Sequence, residues 1–123
     1  VCMVRDMDAA LGFFLETLAG ELLSDERVTL PQPGRQVRLL LGDTRLALIV
    51  ADNPATGPVG AYFSRPASGV FALVWEADDL NAVREHMAHV GVPLVPPLLT
   101  AQGVALDPGA MRGARHEFLT SAA

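Results

Sequence analysis

Few residues of this 123-residue sequence have a type and spacing that suit chemistry. His86 and His89 lie three residues apart in a predicted helix, which would suit a metal ion, but they flank an apolar stripe, and we favour a solvated helix face. Arg45 and Arg115 are the best candidates to bind an anionic ligand, because a planar guanidinium group matches a carboxylate or a phosphate. Ordinary arginines at strand edges are the alternative.

The remaining composition excludes several classes of protein. The sequence contains no Gly-rich phosphate loop, no C-x-x-C and no G-x-S-x-G, which argues against nucleotide-binding folds and serine hydrolases. The net charge is −5 and the basic residues are scattered, so we expect no nucleic-acid partner. No apolar run approaches about 18 residues, so no membrane span is expected. The single cysteine, Cys2, excludes an internal disulfide and fits a reducing cytoplasm.

The stretch from residue 69 to residue 94 has the clearest element pattern. Residues 70–76 form a β-branched and aromatic run that predicts a strand, with Trp75 in the core under the helices. Asp79 or its neighbour Asp78 can cap a helix that follows. An apolar stripe runs along this helix, and Gly91 allows a left-handed stop. The stripe consists of Leu80, Val83, Met87 and Val90.

The same pattern opens the chain. Asp6 or Asp8 can cap a helix, and Asp6 matches Asp79 at an offset of 73 residues (79 minus 6). The first helix is predicted to end at Gly20 as the second ends at Gly91. The first helix has an apolar stripe that Phe13 and Leu15 widen, so we expect it to be well buried. The stripe consists of Met7, Leu11, Phe14 and Leu18. We interpret the repeat as an internal duplication.

The other segments complete two β-α-β-β-β modules. Strands are expected at residues 21–30, 36–41 and 44–50 in the first module, and at 92–95, 103–106 and 113–120 in the second. The predicted organisation is one domain over residues 1–123, with module one at 1–50, a Pro- and Gly-rich linker at 51–68 and module two at 69–123. Because the chain opens in the middle of an apparent strand, we expect native residues before Val1.

The two modules resemble the vicinal oxygen chelate superfamily, which includes glyoxalases, methylmalonyl-CoA epimerases, extradiol dioxygenases and bleomycin-resistance-type binding proteins. Residues 6–10, the hairpin at 41–48 and the epimerase-like ending at 107–118 carry the resemblance. It implies an α+β fold in which two βαβββ modules in tandem form a curved, barrel-like mixed sheet with a concave cleft. The cleft of this family holds a divalent metal whose ligands lie on the first, fourth, fifth and eighth strands.

This sequence matches only part of that ligand set. The spacing of Pro108, Gly113 and Glu117 is similar to the family pattern, which makes Glu117 the candidate metal ligand. The corresponding positions of the fourth and fifth strands hold Ala47 and Ala72, and the first-strand position precedes Val1. A metal site needs three or four converging donors. We therefore expect no cofactor, with a divalent metal as the alternative.

Three functional interpretations follow. The first is a metal-free small-molecule-binding protein with an apolar or anionic ligand in the cleft, contacted by Arg45, Ala47, Ala72, Arg115 and Glu117. The second is a metal-dependent lyase, epimerase or dioxygenase with Glu117 as a ligand. The third is a diverged subunit or regulatory domain without a ligand. A carboxylate at Glu117 that only pairs with Arg115 or Arg45 is the structural alternative. We also expect a cytoplasmic homodimer, because open sheet edges favour a partner.

Overall fold

The computed structural model describes residues 1–64, 70–111 and 115–120. The chain divides into two compact units, Val1–Val70 and Phe71–Ala123. Each unit contains one four-stranded sheet. The α+β class and the tandem arrangement of two modules are therefore confirmed, and strand pairing gives two separate sheets. The predicted boundaries at 1–50, 51–68 and 69–123 stay a prediction.

The first unit has the strand order β1-β4-β3-β2. Its elements are β1 (Cys2–Met3), α1 (Met7–Leu11), β2 (Glu21–Val28), β3 (Gly34–Leu41), β4 (Thr44–Ala51) and α2 (Gly57–Phe63). β1 runs parallel to β4, and the other neighbours are antiparallel. A two-residue turn joins β3 to β4, and Gly42 takes the positive φ of 62° that such tight hairpins require.

The helix α1 packs on one face of the first sheet. Asp6 begins it by accepting a hydrogen bond from the amide of Ala9 at 3.1 Å. The buried core under the helix consists of Met7, Val37, Leu39 and Leu48. We call the side of the sheet that carries these residues its helix face, and the opposite side its far face. Because side chains alternate along a strand, Gln36, Arg38, Arg45 and Ala47 lie on the far face.

The first helix departs from the predicted apolar stripe. After Leu11 it continues as a π-helix, Gly12–Thr17, whose wider turn changes which side chains face the sheet. Phe14 still packs on the core, but Phe13 is 51% exposed and Leu18 is exposed as well, so the prediction of a well-buried helix was wrong. The residue with positive φ near its end is Ala19 and not Gly20.

The second unit repeats the architecture, with the strand order β5-β8-β7-β6. Its elements are β5 (Leu73–Glu76), α3 (Leu80–Val90), β6 (Leu94–Val95), β7 (Val104–Leu106) and β8 (His116–Leu119). β5 runs parallel to β8 as β1 does to β4, and the other neighbours are antiparallel. Gly113, in the predicted last strand, lies outside the described residues.

The start and end of α3 follow the sequence prediction. The carboxylate of Asp79 accepts hydrogen bonds from the amides of Asn81 at 2.9 Å and Ala82 at 3.3 Å. Gly91 ends the helix with a φ of 79°. The half-buried residues of this helix are Leu80, Val83 and Met87, while His86, His89 and Val90 are exposed. Three members of the predicted stripe thus face the protein.

Two local expectations differ from the structure. Trp75 was expected in the core but is 48% exposed, because it lies on the edge strand β5, which has a neighbouring strand on one side only. The predicted linker contains a helix, α2, that the apolar pattern did not indicate. Among the described residues, no helix has the length and apolar character needed to cross a lipid bilayer.

Candidate functional site

The residues predicted to contact a ligand belong to two groups. Arg45 and Ala47 lie in the first unit, two residues apart on the far face of β4. Ala72, Arg115 and Glu117 lie in the second unit.

The second group occupies one face of the second sheet. Glu117 is paired with Val74 of β5 and Ala105 of β7, and residues paired in adjacent strands share a face. Ala72 precedes Val74 by two residues and Arg115 precedes Glu117 by two, so alternation places both on the same face. Ala72 is 1% exposed and Glu117 is fully buried.

The carboxylate of Glu117 is satisfied by backbone amides. Its Oε2 accepts a hydrogen bond from the amide of Leu98 at 3.1 Å, and its Oε1 accepts one from Leu99 at 3.1 Å. These amides follow Pro96 and Pro97, which have no N–H of their own. A buried carboxylate is costly unless it is hydrogen-bonded, and the paired amides remove much of that cost. Glu117 therefore fastens the segment after β6 to the middle of the second sheet.

Arg115 supplies the only positive charge that the structure places beside this carboxylate among the described residues. Its Nη1 lies 3.7 Å from Oε2 of Glu117 and forms no hydrogen bond within the described chain. The guanidinium carbon lies 5.8 Å from the ring centroid of Phe71. Arg115 thus balances the buried charge and lies over an aromatic ring.

The opposite face of β8 carries a second polar contact. The indole Nε1–H of Trp75 donates a hydrogen bond to Nδ1 of His116 at 3.0 Å, and the two rings are stacked with an interplanar angle of 8°. An imidazole nitrogen that accepts this bond carries no proton. His116 therefore supports the position of Trp75 at the sheet edge.

The donors of the described chain do not fit a divalent metal. No group of three or more His, Cys, Asp or Glu side chains converges among the residues that the structure describes. Ala72 and Ala47 offer methyl groups where the family resemblance implies ligands. Both oxygens of Glu117 already accept hydrogen bonds from amides. A metal there would have to compete with these bonds and find its other ligands elsewhere.

The far face of the first sheet contains polar residues that the sequence analysis missed. Arg38 lies directly opposite Ala47, and Ser24 of β2 lies opposite Arg38. Gln36 precedes Arg38 by two residues on the same face. The two-residue turn at Gly42 and Asp43 could have predicted that Arg38 lies opposite Ala47, because it fixes which residues of β3 and β4 face each other.

Two other arginines of this sheet are already paired with carboxylates. On the helix face, Arg35 forms a bidentate pair with Asp25, with nitrogen–oxygen distances of 2.9 and 2.7 Å. Arg27 forms a similar pair with Asp52, in which Nη1 lies 2.8 Å from Oδ1. Each arginine lowers the pKa of its aspartate by hydrogen bonding to the ionised form.

A protein-family model matches most of this sequence. Residues 1–106 match the model of the Glyoxalase/Bleomycin resistance protein/Dioxygenase superfamily. The chain therefore belongs to this superfamily, as the sequence resemblance indicated. A sequence comparison with curated proteins gives no match.

Solved structures of similar fold include several epimerases. A variant of Streptomyces coelicolor methylmalonyl-CoA epimerase in complex with 2-nitronate-propionyl-CoA is 24% identical, with a TM-score of 0.80, over 99% of this chain and 94% of that chain. Methylmalonyl-CoA epimerase from Mycobacterium tuberculosis is 20% identical, with a TM-score of 0.78, over 96% and 82% of the two chains. A hypothetical protein from Bacillus halodurans C-125 is 20% identical, with a TM-score of 0.79, over 95% and 87%. These likenesses establish the fold.

Proposed function

We propose that this protein binds a small molecule without a metal ion, in the manner of the bleomycin-resistance-type members of its superfamily. The ligand carries an apolar body or an anionic group. Arg45 and Ala47 in the first unit, and Ala72, Arg115 and Glu117 in the second, are its proposed contacts. Fixed guanidinium groups would orient an anion, and the small alanine side chains leave room for an apolar body.

The observation that supports this proposal is the hydrogen bonding of the Glu117 carboxylate. Among the implied ligand positions that this sequence covers, only Glu117 has a donor side chain, and its two oxygens accept hydrogen bonds from Leu98 and Leu99. Ala47 and Ala72 cannot donate an electron pair to a metal. A binding role needs no such donors, whereas metal-assisted catalysis does.

Binding of an apolar anion tests the proposal. Anilinonaphthalene sulfonate, a fluorescent probe that is both apolar and anionic, is titrated against the folded protein before and after treatment with a chelator. We expect saturable binding with the same dissociation constant in both samples. Binding that disappears with the chelator and returns with added zinc, nickel or cobalt would contradict a metal-free site.

The second candidate is an isomerase or lyase that acts on an acyl-CoA. It is favoured by the epimerase fold neighbours, two of which were solved in complex with coenzyme A thioesters. In this case the protein would remove a proton next to a carbonyl group with the help of a metal. Incubation with methylmalonyl-CoA in deuterated water decides between the candidates. Deuterium incorporation that requires a metal would support the enzyme, and no exchange is expected under the binding proposal.

The assembly proposal is a homodimer. β2 is an edge strand of the first sheet, and it exposes Leu22 and Leu23. An edge strand with exposed apolar side chains can pair with a strand of a partner. Light scattering after size exclusion should give the mass of two 13.0 kDa chains, and the mass of one chain would contradict the dimer.

The single cysteine remains the basis for a proposed cytoplasmic location.

A further inference from the structure

The four arginines in the strands of the first sheet differ in their partners. Arg27 and Arg35 lie on the helix face, and each forms a bidentate pair with an aspartate. Arg38 and Arg45 lie on the far face, and neither forms an ion pair with a carboxylate among the described residues. The sheet thus presents two uncompensated guanidinium groups on a single face.

The strand register brings these two groups close together. Arg38 lies opposite Ala47, and Arg45 lies two residues before Ala47 on the same strand. The two arginines are therefore diagonal neighbours, whose α-carbons are about 7–8 Å apart in an antiparallel pair. Leu40 lies opposite Arg45, so Leu40 and Ala47 complete the group of four side chains on this face. An oxygen anion placed over β3, between Arg38 and Arg45, would lie within reach of both long side chains.

A buried amide positions one of the two arginines. Gln36 is 9% exposed, and with its amide oxygen turned towards the guanidinium it accepts hydrogen bonds from Nε of Arg38 at 2.9 Å and Nη2 at 3.3 Å. A guanidinium group has five N–H donors, so three remain for a ligand. Because Gln36 fixes part of the group, less side-chain entropy is lost when a ligand binds.

An unpaired hydroxyl lies beside the same arginine. Ser24 is opposite Arg38 in the register, and its Oγ is buried without a hydrogen-bond partner in the described chain. A buried polar group left without a partner costs about 1–3 kcal/mol. An oxygen anion beside Arg38 would accept a hydrogen bond from this hydroxyl and remove that cost.

From these four residues we infer an anion subsite on the far face of the first sheet, formed by Arg38, Arg45 and Ser24 and positioned by Gln36. It takes a carboxylate or phosphate group of a small ligand. The inference rests on the proposed function and deepens it, because it assigns the anionic end of the ligand to the first unit. Arg115 is already beside Glu117 in the second unit and is not part of this subsite.

The acidic residues on the same face lie at its edge. Glu26 pairs with Gln36, and Glu21 pairs with Leu40, so both carboxylates stand on the edge strand β2. They limit how far an anion can extend towards that edge, since like charges repel. The anion is therefore expected over β3, between Ser24 and Ala47.

Binding of simple anions to single-residue variants tests the subsite. Inorganic phosphate and malonate are titrated at constant ionic strength. Binding is followed by chemical-shift changes of the backbone amides in the NMR spectrum of isotope-labelled protein. Arg38→Gln and Arg45→Gln should each weaken binding roughly tenfold, as expected for loss of a charge-assisted hydrogen bond. Arg35→Gln is the matched control, because it lies on the same strand as Arg38 and removes the same charge from the opposite face. It should change the affinity by less than about twofold.

A second variant separates binding from folding. Ser24→Ala removes an unpaired buried hydroxyl, so it should leave the midpoint of urea unfolding unchanged or raise it while weakening anion binding several-fold. If Arg38→Gln does not fold, Arg38→Lys keeps the charge without the planar group, and it should still weaken binding. A response to phosphate alone or to malonate alone identifies which of the two anions the subsite takes.

Several results would overturn the subsite. Equal losses in Arg35→Gln and Arg38→Gln would show a general charge effect, and unchanged affinity in both Arg38→Gln and Arg45→Gln would leave no role for these residues. Failure of the proposed function is a different result. If sulfonate-probe binding requires a metal but the two arginine variants still lose phosphate or malonate, the function is wrong and the subsite stands. If probe binding is metal-independent and the arginine variants bind anions normally, the proposed function stands and the subsite is wrong.

Discussion

Glu117 illustrates what residue type and spacing reveal about a single position and what they leave out. The sequence identified it as the candidate site carboxylate through its distance from Pro108. Its partners are the amides of Leu98 and Leu99, nearly twenty residues earlier in the chain, and no local pattern identifies backbone donors at such a distance. A side chain's type can be read from the sequence, but its hydrogen-bond partners depend on the tertiary fold.

Replacement of Glu117 tests its structural role. Glu117→Ala leaves two buried amides without an acceptor and creates a small cavity, so we expect a loss of about 3 kcal/mol in the free energy of unfolding. Urea denaturation measures this loss. Glu76→Ala, an exposed carboxylate on the neighbouring strand β5, is the control and should change stability by less than about 0.5 kcal/mol. Equal effects of the two substitutions would contradict the structural role.

The two aspartate–arginine pairs predict a dependence of stability on acid. The pKa values of Asp25 and Asp52 are lowered in the folded state by hydrogen bonds from Arg35 and Arg27. A lowered folded-state pKa contributes stability above the unfolded value, and that contribution is lost as pH falls through the folded value. The midpoint of thermal unfolding should therefore fall as the pH is lowered from about 5 to about 2. This fall should be shallower in the double variant Asp25→Asn, Asp52→Asn than in the unchanged protein. An identical slope would show that the pairs contribute nothing.

At the scale of elements, the predictions succeeded where the signal was local. Asp6 and Asp79 cap their helices, and the hairpin turn at Gly42 has the expected geometry. The π-helix at Gly12–Thr17 was not predictable, because the sequence of that segment fits the spacing of an ordinary helix. The helix α2 was missed because its Gly- and Pro-rich start resembles a linker.

A distant side chain explains how α2 is held in place. Gln32, in the loop between β2 and β3, donates from Nε2 to the carbonyls of Asn53 and Thr56, each at 3.0 Å. Its Oε1 accepts a hydrogen bond from the amide of Val59 at 2.9 Å, near the start of α2. One side chain thus provides three bonds to the segment before and within the helix.

Removal of Gln32 should loosen this helix locally. Gln32→Ala should lower the free energy of unfolding by about 1–3 kcal/mol and speed hydrogen exchange of the Val59 amide, which loses its acceptor. Gln102→Ala, a substitution in an exposed turn, is the control and should leave both quantities nearly unchanged. Protection of Val59 that is equal in the two variants would show that α2 does not depend on Gln32.

At the scale of the whole molecule, the duplication predicted the architecture. An offset of 73 residues relates Asp6 to Asp79, and it also relates Ala9 to Ala82, the amides that these caps bind. The two sheets have the same strand order, with the first and last strands of each module parallel and adjacent. The site was less predictable, because the far-face group of Arg38, Gln36 and Ser24 depends on the register between three strands, including a bulge near Ser24.

The metal content of the purified protein tests whether the protein works without a metal ion. Protein is purified without a chelator, and its metals are quantified by mass spectrometry against protein concentration. We expect far less than one divalent ion per chain, because the side chains of Ala47 and Ala72 offer no donors and both oxygens of Glu117 accept hydrogen bonds from amides. One equivalent of zinc, nickel, cobalt, manganese or iron per chain, lost in Glu117→Gln, would contradict it.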